Sequence, residues 1–85
     1  MEALTKTHSI TLYNDDKLSF DYIIAVLALH CGHHICQAEQ SALQVHNKGK
    51  CDIVSGEFIE MFELKSKLDL LALKTELNSY ESNLH

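Results

Sequence analysis

The chain has no arginine. All seven of its basic residues are lysines, against twelve aspartates and glutamates, for a formal net charge of −5. Without a guanidinium, bidentate recognition of phosphate is excluded. Without a basic patch, nucleic acid is not an expected partner. A negative protein instead favours a cationic group or a basic partner. There is also no proline, no internal repeat and no low-complexity tract, so nothing divides the 85 residues into more than one unit. A chain of this length buries roughly 60–65% of its unfolded surface. That is enough for one core and one shallow site, but hardly for a deep catalytic cleft.

Long apolar runs are missing too. The longest stretch, residues 22–29, falls far short of the ~20 residues that span a bilayer. Met1-Glu2-Ala3-Leu4-Thr5-Lys6 lacks the basic-then-apolar pattern of a signal peptide. Cys31, Cys36 and Cys51 form an odd set without disulfide-framework spacing. Reduced thiols are the simplest reading, and the expectation is a soluble cytoplasmic protein with no membrane partner.

What is present is a set of alternating and helical patterns. Residues 1–7 form a short polar lead, and residues 8–85 a single domain. Residues 8–13 alternate, with Ile10 and Leu12 on one face and Ser9 and Thr11 on the other, which predicts a half-buried strand. Asn14-Asp15-Asp16-Lys17 reads as a turn, and Ser19 as a helix N-cap followed by Asp21 in the first turn. Phe20, Ile23, Ile24, Leu27 and Cys31 recur at helical spacing, with a second apolar strip at Tyr22, Val26 and Leu29. A helix with two apolar strips is deeply buried or keeps one face for a ligand. Gly32 ends it.

A second helix is expected over residues 35–48, closed by Gly49, with Ala38, Ala42 and Val45 on one face. Residues 51–54 read as a short strand and Ser55-Gly56 as a turn. The longest helix is expected over 57–74, with Phe58, Met61, Phe62, Leu64, Leu68, Leu71 and Ala72 on its apolar side. A last strand is expected over 77–84 with Tyr80 central. The order β-α-α-β-α-β predicts an α+β two-layer sandwich, three helices covering one face of a three-stranded antiparallel sheet.

Two segments stand out chemically. Asn14-Asp15-Asp16 clusters oxygen acceptors at the end of a strand, and Val45-His46-Asn47-Lys48-Gly49-Lys50 ends a helix with an imidazole and a glycine. Acceptors and an imidazole beside an apolar groove suit the capture of a cation such as a free α-amino group. The bland alternatives are a solvated turn, and a histidine that complements the helix dipole. Phe20, Ile23, Ala42 and Val45 read as ordinary core or as core that also lines a pocket. His30-Cys31-Gly32-His33-His34-Ile35-Cys36 holds zinc-type donors. Its spacing is cramped, no second ligand pair follows, and a histidine-rich turn is the favoured reading over a metal site at His33, His34 and Cys36. Cys51 reads as a strand residue rather than a nucleophile, since a cysteine–histidine pair needs an acyl-binding cleft and an orienting group. No enzymatic activity and no cofactor are expected.

In these residues the chain resembles the ClpS family, adaptors of the AAA+ protease ClpAP. The resemblance rests on Asn14-Asp15-Asp16, the apolar helix from Phe20 to Leu29, Ala38, Val45-His46 and Gly49-Lys50, aligned without a gap from Asn14 to Gly49. It implies an adaptor that binds N-degrons, protein N-termini with a bulky apolar first residue (Leu, Phe, Tyr or Trp), and presents them to a ClpA-like unfoldase. It also implies roles for individual residues. Asn14, Asp15 and His46 match positions that hold the substrate's α-amino group. Phe20, Ile23, Ala42 and Val45 match the side-chain pocket, with Asp16 and Leu18 on its turn. Glu60 and Lys65 match the surface that meets the unfoldase.

Charge-assisted hydrogen bonds worth roughly 1.5–3 kcal/mol each and one buried apolar side chain worth about as much, set against the cost of association, imply micromolar-scale binding. Three departures carry consequences. Lys17-Leu18-Ser19 stands where the family usually has a Thr-Pro turn. Ala42 stands where it often has methionine, a gatekeeper, so a wider pocket that admits β-branched first residues is expected. About seven residues precede the first strand, where family adaptors usually carry a longer extension, so binding with poor delivery is expected. The competing readings are an interaction module with a decayed pocket that regulates the unfoldase or binds another protein, and a small metal-binding protein.

Overall fold

Alternation in residues 8–13 places Ile10 and Leu12 on one side of a strand, and both are fully buried. In the computed structural model, which describes residues 7–79, this strand, β1 (His8–Tyr13), is followed by α1 (Phe20–His30), α2 (Ile35–Lys48), β2 (Lys50–Gly56), α3 (Phe58–Leu70) and β3 (Lys74–Ser79). The sheet is antiparallel in the order β2-β1-β3. The α+β arrangement and its β-α-α-β-α-β order are therefore as the patterning predicts. Ile10 and Leu12 form the core with Val26 and Leu27 of α1, Ala38 and Val45 of α2, Cys51 and Ile53 of β2, and Met61 and Leu68 of α3. Most of the expected lead and all of residues 80–85 lie outside the described residues. Among the described residues, no helix is long and apolar enough to cross a membrane.

The helix ends follow local chemistry. Ser19 caps α1, its hydroxyl accepting from the Tyr22 N–H at 3.1 Å. The chain leaves α2 through Gly49 at φ +91°, whose N–H donates to the Val45 carbonyl at 2.9 Å. A left-handed residue here is inexpensive only for glycine.

Several details differ from the sequence reading. β1 is the central strand, so Ser9 and Thr11 are buried as well. The Thr11 hydroxyl donates to Asp52 Oδ1 at 2.6 Å and accepts from Asn78 Nδ2 at 2.9 Å, joining the three strands on the face opposite Ile10 and Leu12. β2 is longer than residues 51–54 and absorbs Ser55 and Gly56, which pair with Ser9 and His8 rather than turning. The pairing slips between Ile10 and Thr11, whose partners are Val54 and Asp52, leaving Ile53 as the extra residue of a bulge. That slip lets Cys51, Ile53 and Val54 all reach the core. Gly56 allows α3 to approach, since a Cβ there would meet Glu60 Oε1 at 2.9 Å and Met61 Cε at 3.0 Å.

α3 stops at Leu70, not at residue 74. Ala72 takes φ +75°, the Leu73 N–H donates to Leu68 O at 3.1 Å and the Ala72 N–H to Asp69 O at 3.0 Å. This is a full Schellman ending. β3 consequently starts three residues before Leu77, and the expected continuation over 80–84 lies outside the described residues. Phe58 and Phe62, expected on the buried side of α3, are about half exposed. The helix buries the seam Met61, Leu64, Leu68, while Phe58 stacks on His8 and on Phe62, with ring centroids 5.1 and 5.7 Å apart.

Candidate functional site

The site begins where β1 ends. The Asn14 N–H donates to the Gly49 carbonyl at 3.0 Å, fastening the segment after β1 to the end of α2. The next residues fold on themselves. The Lys17 N–H donates to Asp15 Oδ1 at 2.9 Å and the Leu18 N–H to the Asp15 carbonyl at 3.0 Å. This is an Asx-stabilised turn. The Asn14 side-chain amide donates to Asp16 Oδ1 at 3.3 Å. With its NH₂ directed there, the Asn14 side-chain oxygen remains an acceptor.

Helices α1 and α2 supply the apolar wall. Phe20 and Ile23 lie three apart on α1, as do Ala42 and Val45 on α2, so each pair projects from one helical face. Ala42 and Val45 are buried at the floor, Ile23 is half-buried, and Phe20 is 44% exposed at the mouth. One cavity of about 340 Å³ is lined by Tyr13, Asn14, Asp15, Asp16, Leu18, Phe20, Ile23, Ala42, Val45 and His46. Every residue singled out for amine capture and for the apolar pocket lines it. The volume is near the lower end for ligand sites and matches one large side chain rather than an extended molecule.

Tyr13 is the wall residue that the sequence reading did not single out. It is the last residue of β1, and its hydroxyl donates to a Glu76 carboxylate oxygen at 2.5 Å. That bond raises its pKa above the ordinary phenol value, with small additions from burial and from the nearby carboxylates. The available signal was an aromatic residue directly before the Asn-Asp-Asp turn.

Glu60 and Lys65 do not reach this cavity. Both are on α3. Glu60 borders a separate surface cleft with Met61, Glu63, Leu64 and Lys67, and the Lys65 ammonium sits 2.7 Å from Asp69 Oδ2.

The structure does not gather His33, His34 and Cys36 into one metal-binding group. His33 is buried, and its Nε2 meets the Ile53 carbonyl at 2.8 Å. A carbonyl only accepts, so Nε2 carries the proton, and Nδ1 is buried without a partner among the described residues. His34 stands exposed at the N-cap position of α2 without a side-chain capping bond, and Cys36 is exposed on its first turn. Among the described residues, no group of three or more His, Cys, Asp or Glu side chains is arranged to hold a metal ion. Cys31 and Cys51 are poor nucleophiles as placed. Burial pushes Cys31 up to about 11 and also raises Cys51, which Ser41 only partly offsets.

The family model described as ATP-dependent Clp protease adaptor protein ClpS matches residues 3–78, nearly the whole chain. No curated protein matches the chain.

Proposed function

The chain belongs to the ClpS family of ATP-dependent Clp protease adaptor proteins, and from that premise we propose that it is a cytoplasmic, non-enzymatic adaptor for N-degrons. It receives a protein N-terminus whose first residue is bulky and apolar and presents it to a ClpA-like AAA+ unfoldase. The observation that carries this reading is the single cavity in which Asn14, Asp15 and His46 face the same space as Phe20, Ile23, Ala42 and Val45. A free N-terminal residue has that same composition, an ammonium and a side chain on one carbon. Asn14 and Asp15 accept from the ammonium, and His46 does so through a neutral ring nitrogen. The first side chain enters between α1 and α2, excluding water from the floor at Ala42 and Val45.

The anchoring of the site to the core supports the same reading. Val45 belongs to the core, and the polar turn is tied to α2 through Asn14 and Gly49. A preformed pocket reduces the ordering cost of binding. For the unfoldase, the proposed contact is the stretch of α3 from Phe58 to Lys65, with Glu60 and Lys65. There the exposed Phe58, Ile59 and Phe62 supply apolar surface beside the charges.

Fluorescence anisotropy with peptides that begin with Leu, Phe, Tyr, Trp or Ile tests the reading. Micromolar-scale Kd values are expected, with at least about tenfold weaker binding once the amine is acetylated, the equivalent of one lost charge-assisted hydrogen bond. Equal binding of free and acetylated peptides overturns it.

A further inference from the structure

A second groove adjoins the first. It encloses about 550 Å³ and shares Tyr13 and Asn14 with the first as common walls, its far side being formed by Asp69, Leu73, Lys74 and Thr75. Its floor is apolar, since Leu73 is buried. The two carboxylate oxygens of Asp69 are both engaged, Oδ2 by the Lys65 ammonium at 2.7 Å and Oδ1 by the Thr75 hydroxyl at 2.8 Å. Lys74 is exposed and has no ion-pair partner among the described residues. Of the two charged residues that line the groove, Asp69 is thus paired and Lys74 is not, while Glu76, two residues along the same strand, accepts from the Tyr13 hydroxyl at 2.5 Å.

We propose that this second groove receives the residues that immediately follow the first residue of a bound N-terminus, and that Lys74 favours an acidic side chain there. The inference rests on the proposed capture of the amine at Asn14, Asp15 and His46. Successive Cα atoms are about 3.8 Å apart, so the second and third residues stay beside the amine site. The wall at Asn14 is common to both grooves, and crossing it brings the chain over Tyr13 to Leu73 and Lys74. The groove gives those residues an apolar floor for the aliphatic part of a side chain and a cation for its end. Selectivity is thereby read at two places: the first residue by apolar fit, the next ones by charge.

The test compares Leu-initiated peptides carrying Glu or Lys at the second and third positions, by anisotropy at low salt, on the wild-type protein, Lys74→Glu and Lys67→Glu. Lys67 is on α3 outside the groove, so its substitution changes net charge equally and corrects for the general field of the protein. An exposed charge pair is worth up to about 1 kcal/mol. Lys74→Glu is accordingly expected to shift the Glu-over-Lys preference by at least about threefold toward Lys relative to Lys67→Glu, with the difference fading as salt is raised. Equal preferences in the two variants overturn the second groove. The acetylated Leu peptide on wild-type protein keeps the two readings apart. If acetylation weakens binding but Lys74→Glu behaves as Lys67→Glu, the second groove alone fails. If acetylation has no effect, the amine-capture reading fails with it.

Discussion

The backbone N–H of Asn14 and the carbonyl of Gly49, 3.0 Å apart, join the two halves of the candidate site. One follows the central strand and carries the acceptors, while the other closes the helix that carries His46. Gly49 holds φ +91° with nothing within 4 Å of where a Cβ would lie. Gly49→Ala therefore costs conformational energy without a clash, about 1–2 kcal/mol. Its Tm is expected to fall by roughly 4–8 °C for each kcal/mol. Peptide affinity is expected to fall with it, because the same glycine positions the Asn14 segment. A thermal melt alongside anisotropy measures both.

Ala42 tests the apolar half. It is buried at the cavity floor, and a larger side chain there removes room near Cβ of the guest. Ala42→Met is expected to weaken an Ile-initiated peptide by about tenfold relative to a Leu-initiated one, the lower end of an overpacking cost of roughly 1–3 kcal/mol. The ratio of the two Kd values in each protein is the readout.

Ala72 is the strained position of the described backbone, a non-glycine residue at φ +75°. A left-handed alanine costs about 1–2 kcal/mol, against about 0.5–1 kcal/mol for the extra unfolded freedom of glycine. Ala72→Gly is expected to stabilise the fold by up to about 1 kcal/mol, seen as a higher urea midpoint with an unchanged m-value.

That alanine also explains where the sequence was hard to read. Leu71, Ala72 and Leu73 continue an apolar helical rhythm, and alanine is the best helix former, so nothing in the residues announces the stop at Leu70. The stop comes from the Leu68 and Leu73 side chains being buried together, which closes the Schellman turn. With α3 shortened, the polar run Lys74-Thr75-Glu76 becomes strand by pairing with Tyr13, Leu12 and Thr11. It has little apolar alternation of its own. The bulge at Ile53, with its carbonyl bound by His33, was equally hidden because it depends on a contact twenty residues away. The ends of α1 and α2 were legible because Ser19, Gly32 and Gly49 act locally. The candidate site was legible because its residues cluster in two short segments. Tyr13 was missed because its part in the site depends on the neighbouring strand and on Glu76.

Asp69 gives a dependence on pH. Burial pushes its carboxyl up, but the Lys65 and Thr75 hydrogen bonds and the Lys65 charge outweigh it, leaving the pKa below the ordinary 3.8. A carboxylate depressed in the folded state adds stability that is complete above its unfolded value of about 3.9 and disappears as pH falls through the folded value. The stability gap between wild type and Asp69→Asn is therefore expected to be constant from pH 5 to 7 and to close below about pH 4. Urea titrations across that range measure it.

Amide chemical-shift mapping on ¹⁵N-labelled protein, titrated with a Leu-initiated peptide and its acetylated twin, tests the central claim most directly. With the free amine, the largest shifts are expected at Asn14 to Leu18 and at Ala42 to Gly49, and the acetylated twin at the same concentration is expected to leave those amides nearly unmoved. Shifts that fall elsewhere, or that match for the two peptides, would contradict the account.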